Sequence, residues 1–134
     1  MREILFRGRL KAENGELKKG DWVYGDLVTL IDGKEKHLHI YGKGEVKAET
    51  IGQYTGLTDK NGKKIFEGDI IRIIERGETV DGGIVVFENG YPGGWLIKDK
   101  TYSSKCSLAM RNDVEIIGNI HDNPEILESE VQGE

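Results

Sequence analysis

The residues best suited to chemistry crowd into one short stretch, TGLTDKNGKKIFEGDIIRI, residues 55–73. Asp59 precedes Lys60-Asn61-Gly62, and Glu67 and Asp69 flank Gly68. Carboxylates this close can divide acid–base work, one giving a proton while another takes one. The same residue types also build turns. An Asp side chain accepts hydrogen bonds from nearby backbone N–H groups, and Gly adopts dihedrals closed to other residues. Each of these carboxylates fits a turn, so no catalytic residue is assigned.

His37 and His39 lie two residues apart in an extended run, which puts them on one face of a strand. With His121-Asp122 they could form a two-His-plus-carboxylate metal site. The spacing matches no metal signature and no HExxH motif occurs, so neither metal nor cofactor is assigned. Cys106 is the single cysteine; it cannot close a disulfide within the chain and reads as an inert thiol. Phosphate-cradling loops and a GxSxG nucleophile elbow are absent, and Gly42-Lys43-Gly44 leads into no helix.

Aromatic side chains offer the remaining chemistry. Trp22, Tyr24, Tyr54, Phe66, Tyr91, Trp95 and Tyr102 could stack on bases. Large aromatics in small β domains more often fill a core or a subunit interface. Trp22 and Tyr24 share one strand face; with Trp95 they are the candidate interface or stacking residues. Lys43, Lys47, Lys60, Lys63 and Lys64 form a basic patch only if the fold gathers their loops. A formal net charge of −5 argues against a broad phosphate-binding surface. Nucleic acid is therefore an allowed partner that the charge does not indicate.

The elements that must position these residues are strands. Glycine occurs 19 times, and the apolar residues come in short runs bounded by Gly, Asn or Asp. The pattern predicts strands at 4–10, 22–31, 36–41, 46–54, 65–66, 70–75, 84–88, 95–97 and 114–120. Asp32-Gly33 and Asn89-Gly90 are the hairpin signals. Gly20-Asp21-Trp22-Val23 and Gly68-Asp69-Ile70-Ile71 echo each other, each placing Gly-Asp just before an apolar strand. Asn123, Pro124 and Glu125 signal a short helix whose apolar stripe is Ile126, Leu127 and Val131. The expected fold is mainly β: small barrel-like, partly SH3-like strands and hairpins with a short C-terminal helix. Residues 1–122 form a compact barrel-like domain with room for two subdomains meeting near 55–65, and 123–134 form the helix and tail.

With 37% hydrophobic and 32% charged residues, the expected surface is wet. No apolar run reaches the roughly 18 residues of a membrane span. The first residues lack a signal peptide's apolar core, so the default location is the cytoplasm.

The segment ETIGQYTGLTDKNGKKIFEGDI, residues 49–70, closely resembles the central signature of the YopX-like family of phage and prophage proteins. Ile4-Leu5-Phe6-Arg7-Gly8 and Asp21-Trp22-Val23-Tyr24-Gly25 resemble that family's opening. Val85-Val86-Phe87 resembles its middle strand, and the run from Val114 to Glu125 its ending. The resemblance implies a mostly β, barrel-like fold and a ring-forming or otherwise homo-oligomeric state in a bacterial host. It implies no reaction and carries no catalytic residue over. The reading that follows is a non-catalytic, self-assembling β module of a phage or prophage, with a nucleic-acid-binding module as the alternative.

Overall fold

A computed structural model describes residues 3–89, 94–99, 104–110 and 113–126. The chain is mainly β, its strands arranged in three antiparallel sheets. Among the described residues no sheet closes on itself, so the barrel expected from the short strands is replaced by open sheets. Alternating runs and tight turns are common to barrels and open sheets, and closure depends on long-range pairing that no local pattern encodes. The chain divides into two compact units, Met1–Tyr54 and Thr55–Glu134.

In the first unit β1 (Phe6–Arg9) pairs antiparallel with β2 (Trp22–Gly25), Arg9 opposite Trp22 and Arg7 opposite Tyr24. β3 (Leu27–Asp32) and β4 (Glu35–Ile40) form a hairpin closed by Gly33-Lys34. Gly33 sits at φ +62 while Lys34 keeps negative φ, as the first and second positions of a type II′ turn require. β5 (Gly44–Glu45) adds to β4, giving the order β3-β4-β5. Leu10, Val23, Ile40 and Val46 are the core, with Phe6, Leu17, Leu27, Leu38 and Ile51 packed against them.

Two predicted strands are interrupted here. The run 22–31 breaks at Asp26 because its two halves take different partners: β2 pairs with β1, and β3 with β4. Gly25, at φ +155, makes the bend, and the Tyr41 N–H donates to the Asp26 carbonyl at 2.8 Å. The run 46–54 is interrupted by a 3-10 turn, Ala48–Thr50. The buried Thr50 hydroxyl donates to the Lys47 carbonyl at 2.6 Å and accepts the Arg9 N–H at 2.9 Å, so side-chain bonding locally replaces a strand ladder.

β6 (Gly52–Thr58) crosses from one unit to the other. Gly52 and Gln53 pair with β1, and the strand's later part lies beside β7 (Lys64–Phe66). The second unit is then a five-stranded sheet ordered β11-β10-β9-β8-β12, built from β8 (Asp69–Glu75), β9 (Glu78–Glu88), β10 (Gly94–Lys98), β11 (Ser104–Ser107) and β12 (Val114–Asn119). β8 and β9 meet through Arg76-Gly77, both at positive φ, which matches a type I′ turn and its right-handed twist. Ile65, Ile71, Ile73, Val85, Ile97, Leu108 and Val114 form the core.

β9 starts at Glu78, not at Ile84; Gly82-Gly83 lies inside the strand instead of opening it. β9 and β10 do form a hairpin, but Glu88 pairs with Gly94, so five residues separate them. That is longer than the two-residue turn predicted at Asn89-Gly90, and residues 90–93 of this connection lie outside the described residues. β11 was not anticipated, since Ser-Lys-Cys-Ser carries no apolar signal. At the C-terminus one helical turn, α1 (Pro124–Ile126), is closed by the Ile126 N–H on the Asn123 carbonyl. The Asn123 side chain accepts from the Asn119 N–H at 3.3 Å, tying the turn back to β12. Leu127 and Val131 lie outside the described residues, as do Tyr91 and Tyr102.

The repeated Gly-Asp device is real geometry. Gly20 has φ +92 and Gly68 φ +94. Asp21 Oδ2 accepts the Lys18 N–H at 2.9 Å, and Asp69 Oδ2 accepts the Phe66 N–H at 2.8 Å. In both, the carboxylate reaches back three residues and fixes the turn from which the next strand begins.

Candidate functional site

Asp59 and Asp69 are each engaged by backbone N–H groups of the turns they close. Asp59 Oδ1 accepts the N–H groups of Asn61 and Lys63, both at 2.9 Å, and Oδ2 accepts that of Ile116 at 3.1 Å. Burial alone would raise the Asp59 pKa, but the three N–H donors together hold it below the ordinary value. Asp69, almost fully buried, closes the Phe66 turn.

His37 and His39 share a face of β4, as alternation requires. His37 Nδ1 lies 3.0 Å from Glu45 Oε2, which also takes the Lys11 ammonium at 3.2 Å. Bonding to His37 and then to Lys11 lowers the Glu45 pKa. His121 and Asp122 sit in the turn after β12 in the second unit, with both N–H groups donating to Asn119 Oδ1. Among the described residues no three or more His, Cys, Asp or Glu side chains are placed to hold a metal ion. Cys106 is half-buried beside the second core.

The aromatic candidates fall in separate places. Trp22 and Tyr24 stand on one face of β2, above Arg7 and Arg9 of β1. The Arg7 and Arg9 guanidinium carbons lie 4.8 Å and 5.2 Å from the Trp22 ring centre, close enough for cation–π attraction. Arg7 is buried and Tyr24 exposed. Trp95 belongs to the second unit, where it meets Phe87 edge-on at 4.9 Å and packs on the core. Of the lysines, Lys43 and Lys47 belong to the first unit and Lys60, Lys63 and Lys64 to the second.

The feature the sequence reading passed over is the outer edge of β3. This strand ends the order β3-β4-β5, and two of its apolar residues are uncovered: Leu30 is 49% and Ile31 70% exposed. A groove of about 450 Å³ lies over the β3–β4 pair and the turn after β4, lined by Val28, Leu30, His39, Tyr41 and Lys43 among others. Natural edges are usually blunted by charge, proline or a bulge. β3 carries none of these between Leu27 and Ile31, and its register with β4 is continuous. The available signal was the run LVTLI itself, which is apolar on both faces where a strand with one solvated face alternates.

The backbone of this edge is oriented. The Asp26 carbonyl accepts the Tyr41 N–H, and the Leu38 carbonyl accepts the Val46 N–H of the opposite neighbour. Residues along a strand turn their N–H and C=O alternately to either side. Asp26, Val28, Leu30 and Asp32 therefore bond toward β4, whereas Leu27, Thr29 and Ile31 direct theirs outward.

Among solved structures, protein EF1440 from Enterococcus faecalis is similar at 22% identity, over 95% of this chain and 99% of that one, with a TM-score of 0.47. No curated protein matches the chain. The family described as YopX protein matches residues 13–128. That match spans most of the sequence, and the chain belongs to the YopX family.

Proposed function

We propose that this chain is a non-catalytic β module that assembles with copies of itself and serves in a phage or prophage programme. The observation that carries the reading is the uncovered β3 edge with Leu30 and Ile31 exposed. An edge of this kind invites another strand, and burying its apolar residues is favourable at about 25 cal/mol per Å². The occupied carboxylates of Asp59 and Asp69 support a role without acid–base chemistry. The phage and prophage setting rests on the family resemblance alone. Light scattering at micromolar concentration tests assembly: a mass at a multiple of 15.0 kDa is expected, and a 15.0 kDa species alone defeats the proposal.

A specific observation also favours the second reading, a nucleic-acid-binding module. Arg7, Arg9, Trp22 and Tyr24 share one sheet face, combining cationic groups with rings able to stack on bases. On this reading single-stranded DNA binds at low salt and is released as salt rises. Trp22→Ala then weakens binding by about 1–3 kcal/mol, the cost of one lost stack. No binding in low-salt fluorescence titrations removes this reading.

A further inference from the structure

We infer that two copies pair antiparallel along β3, in a register centred on Leu30. The inference rests on the self-assembly reading and specifies its surface. A twofold axis normal to the sheet places residue i of one copy opposite residue 60 − i of the other, an isologous contact in which each edge supplies the same groups. Leu30 then faces Leu30 as a non-hydrogen-bonded pair, the arrangement that brings side chains closest, with Cα atoms about 4.5 Å apart. Thr29 faces Ile31, and these are residues whose N–H and C=O point outward, so each such pair exchanges both backbone bonds. β3 extends its sheet without giving up any bond to β4.

Charge selects this register over its neighbour. Centred on Leu30, the pairing sets Asp26, before the strand, opposite Lys34 of the partner subunit in the hairpin turn, and the symmetry repeats the match. Centred on Thr29, it sets Asp26 opposite the partner's Asp32, again twice. Opposite charges across strands attract and like charges repel. Leu27 to Ile31 carry no charge, so register is decided at the two ends.

Sedimentation equilibrium on the full chain tests this with Asp26→Lys, Lys34→Asp and their combination. Each single reversal is expected to weaken the dimer about tenfold, and the combination to restore it to within about threefold. Ile31→Pro removes an outward N–H that β4 does not use; it is expected to give a monomer with the wild-type circular dichroism spectrum. A dimer unaffected by both the reversals and Ile31→Pro overturns pairing through β3 but leaves assembly through another surface standing. A dimer broken by Ile31→Pro yet indifferent to the reversals overturns the Leu30 register. A wild-type chain that stays monomeric at micromolar concentration overturns this inference and the self-assembly reading together.

Discussion

Gly83→Ala is expected to destabilise the protein by about 3 kcal/mol, the upper part of the range for overpacking a tight interior. Gly83 lies in β9, between β8 and β10, and pairs with Ile71 of β8. A Cβ built there would sit 2.8 Å from Ile97 Cγ2 and closer still to the Lys98 carbonyl oxygen. Ile97 is fully buried, and the Lys98 oxygen belongs to the backbone of β10. Neither can swing aside as a surface side chain would, so β10 must shift and disturb its ladder with β9. The loss is a packing effect, because Gly83 is not in the left-handed region.

Gly62 provides the contrast. It has φ +83 with open space around its missing Cβ, so Gly62→Ala costs only dihedral strain, about 1 kcal/mol. Urea unfolding of both variants separates the mechanisms. Truncating Ile97 to Ala alongside Gly83→Ala removes one of the two clashes. The double variant should therefore lose less than the sum of the single changes. A Gly83→Ala protein within about 0.5 kcal/mol of wild type would mean that β9 and β10 approach less closely than this packing requires.

Gly83 also marks where a sequence stops being legible. Gly82-Gly83 reads locally as a strand opening, since paired glycines punctuate chains. Its actual reason lies in β10, more than a dozen residues away. Turns and strands decided by neighbours in sequence were readable: the hairpin at Gly33, though its turn is Gly33-Lys34 and not Asp32-Gly33, the apolar run of β8 and the matched Gly-Asp turns at Asp21 and Asp69. Features decided by partners were not. The run 22–31 reads as one strand across Gly25-Asp26, but its two halves take different partners, β1 and β4, with the bend at Gly25. Thr50 interrupts the next run because its hydroxyl meets the Arg9 backbone, 41 residues earlier. The candidate residues divide likewise. Alternation correctly set Trp22 beside Tyr24 and His37 beside His39. It could not show Arg7 and Arg9 beside Trp22, or that among the described residues β3 stands at the end of its sheet.

Asp59 contributes to stability through a carboxylate that closes a turn and reaches β12. Its side chain binds the Asn61-to-Lys63 turn on one oxygen and Ile116 of β12 on the other, joining segments 57 residues apart. Asp59 is 5% exposed, so loss of its carboxylate leaves buried N–H donors unsatisfied. Asp59→Ala is accordingly expected to cost about 2–3 kcal/mol, the scale for hydrogen bonds to a charged acceptor. Because the folded pKa lies below the unfolded one, the folded state binds fewer protons in the window between them. The contribution is complete above the ordinary aspartate value and fades as pH falls through the depressed folded value. Asp59→Asn keeps one acceptor oxygen but cannot titrate. Its unfolding free energy should lie below wild type at pH 7, and the gap should narrow as pH falls from 7 through the ordinary aspartate value and below it, where the wild-type carboxylate begins to protonate. Parallel urea curves for the two proteins across that range, with a constant gap, would show that the carboxylate's charge contributes nothing and that hydrogen-bond geometry alone holds β12 to the turn.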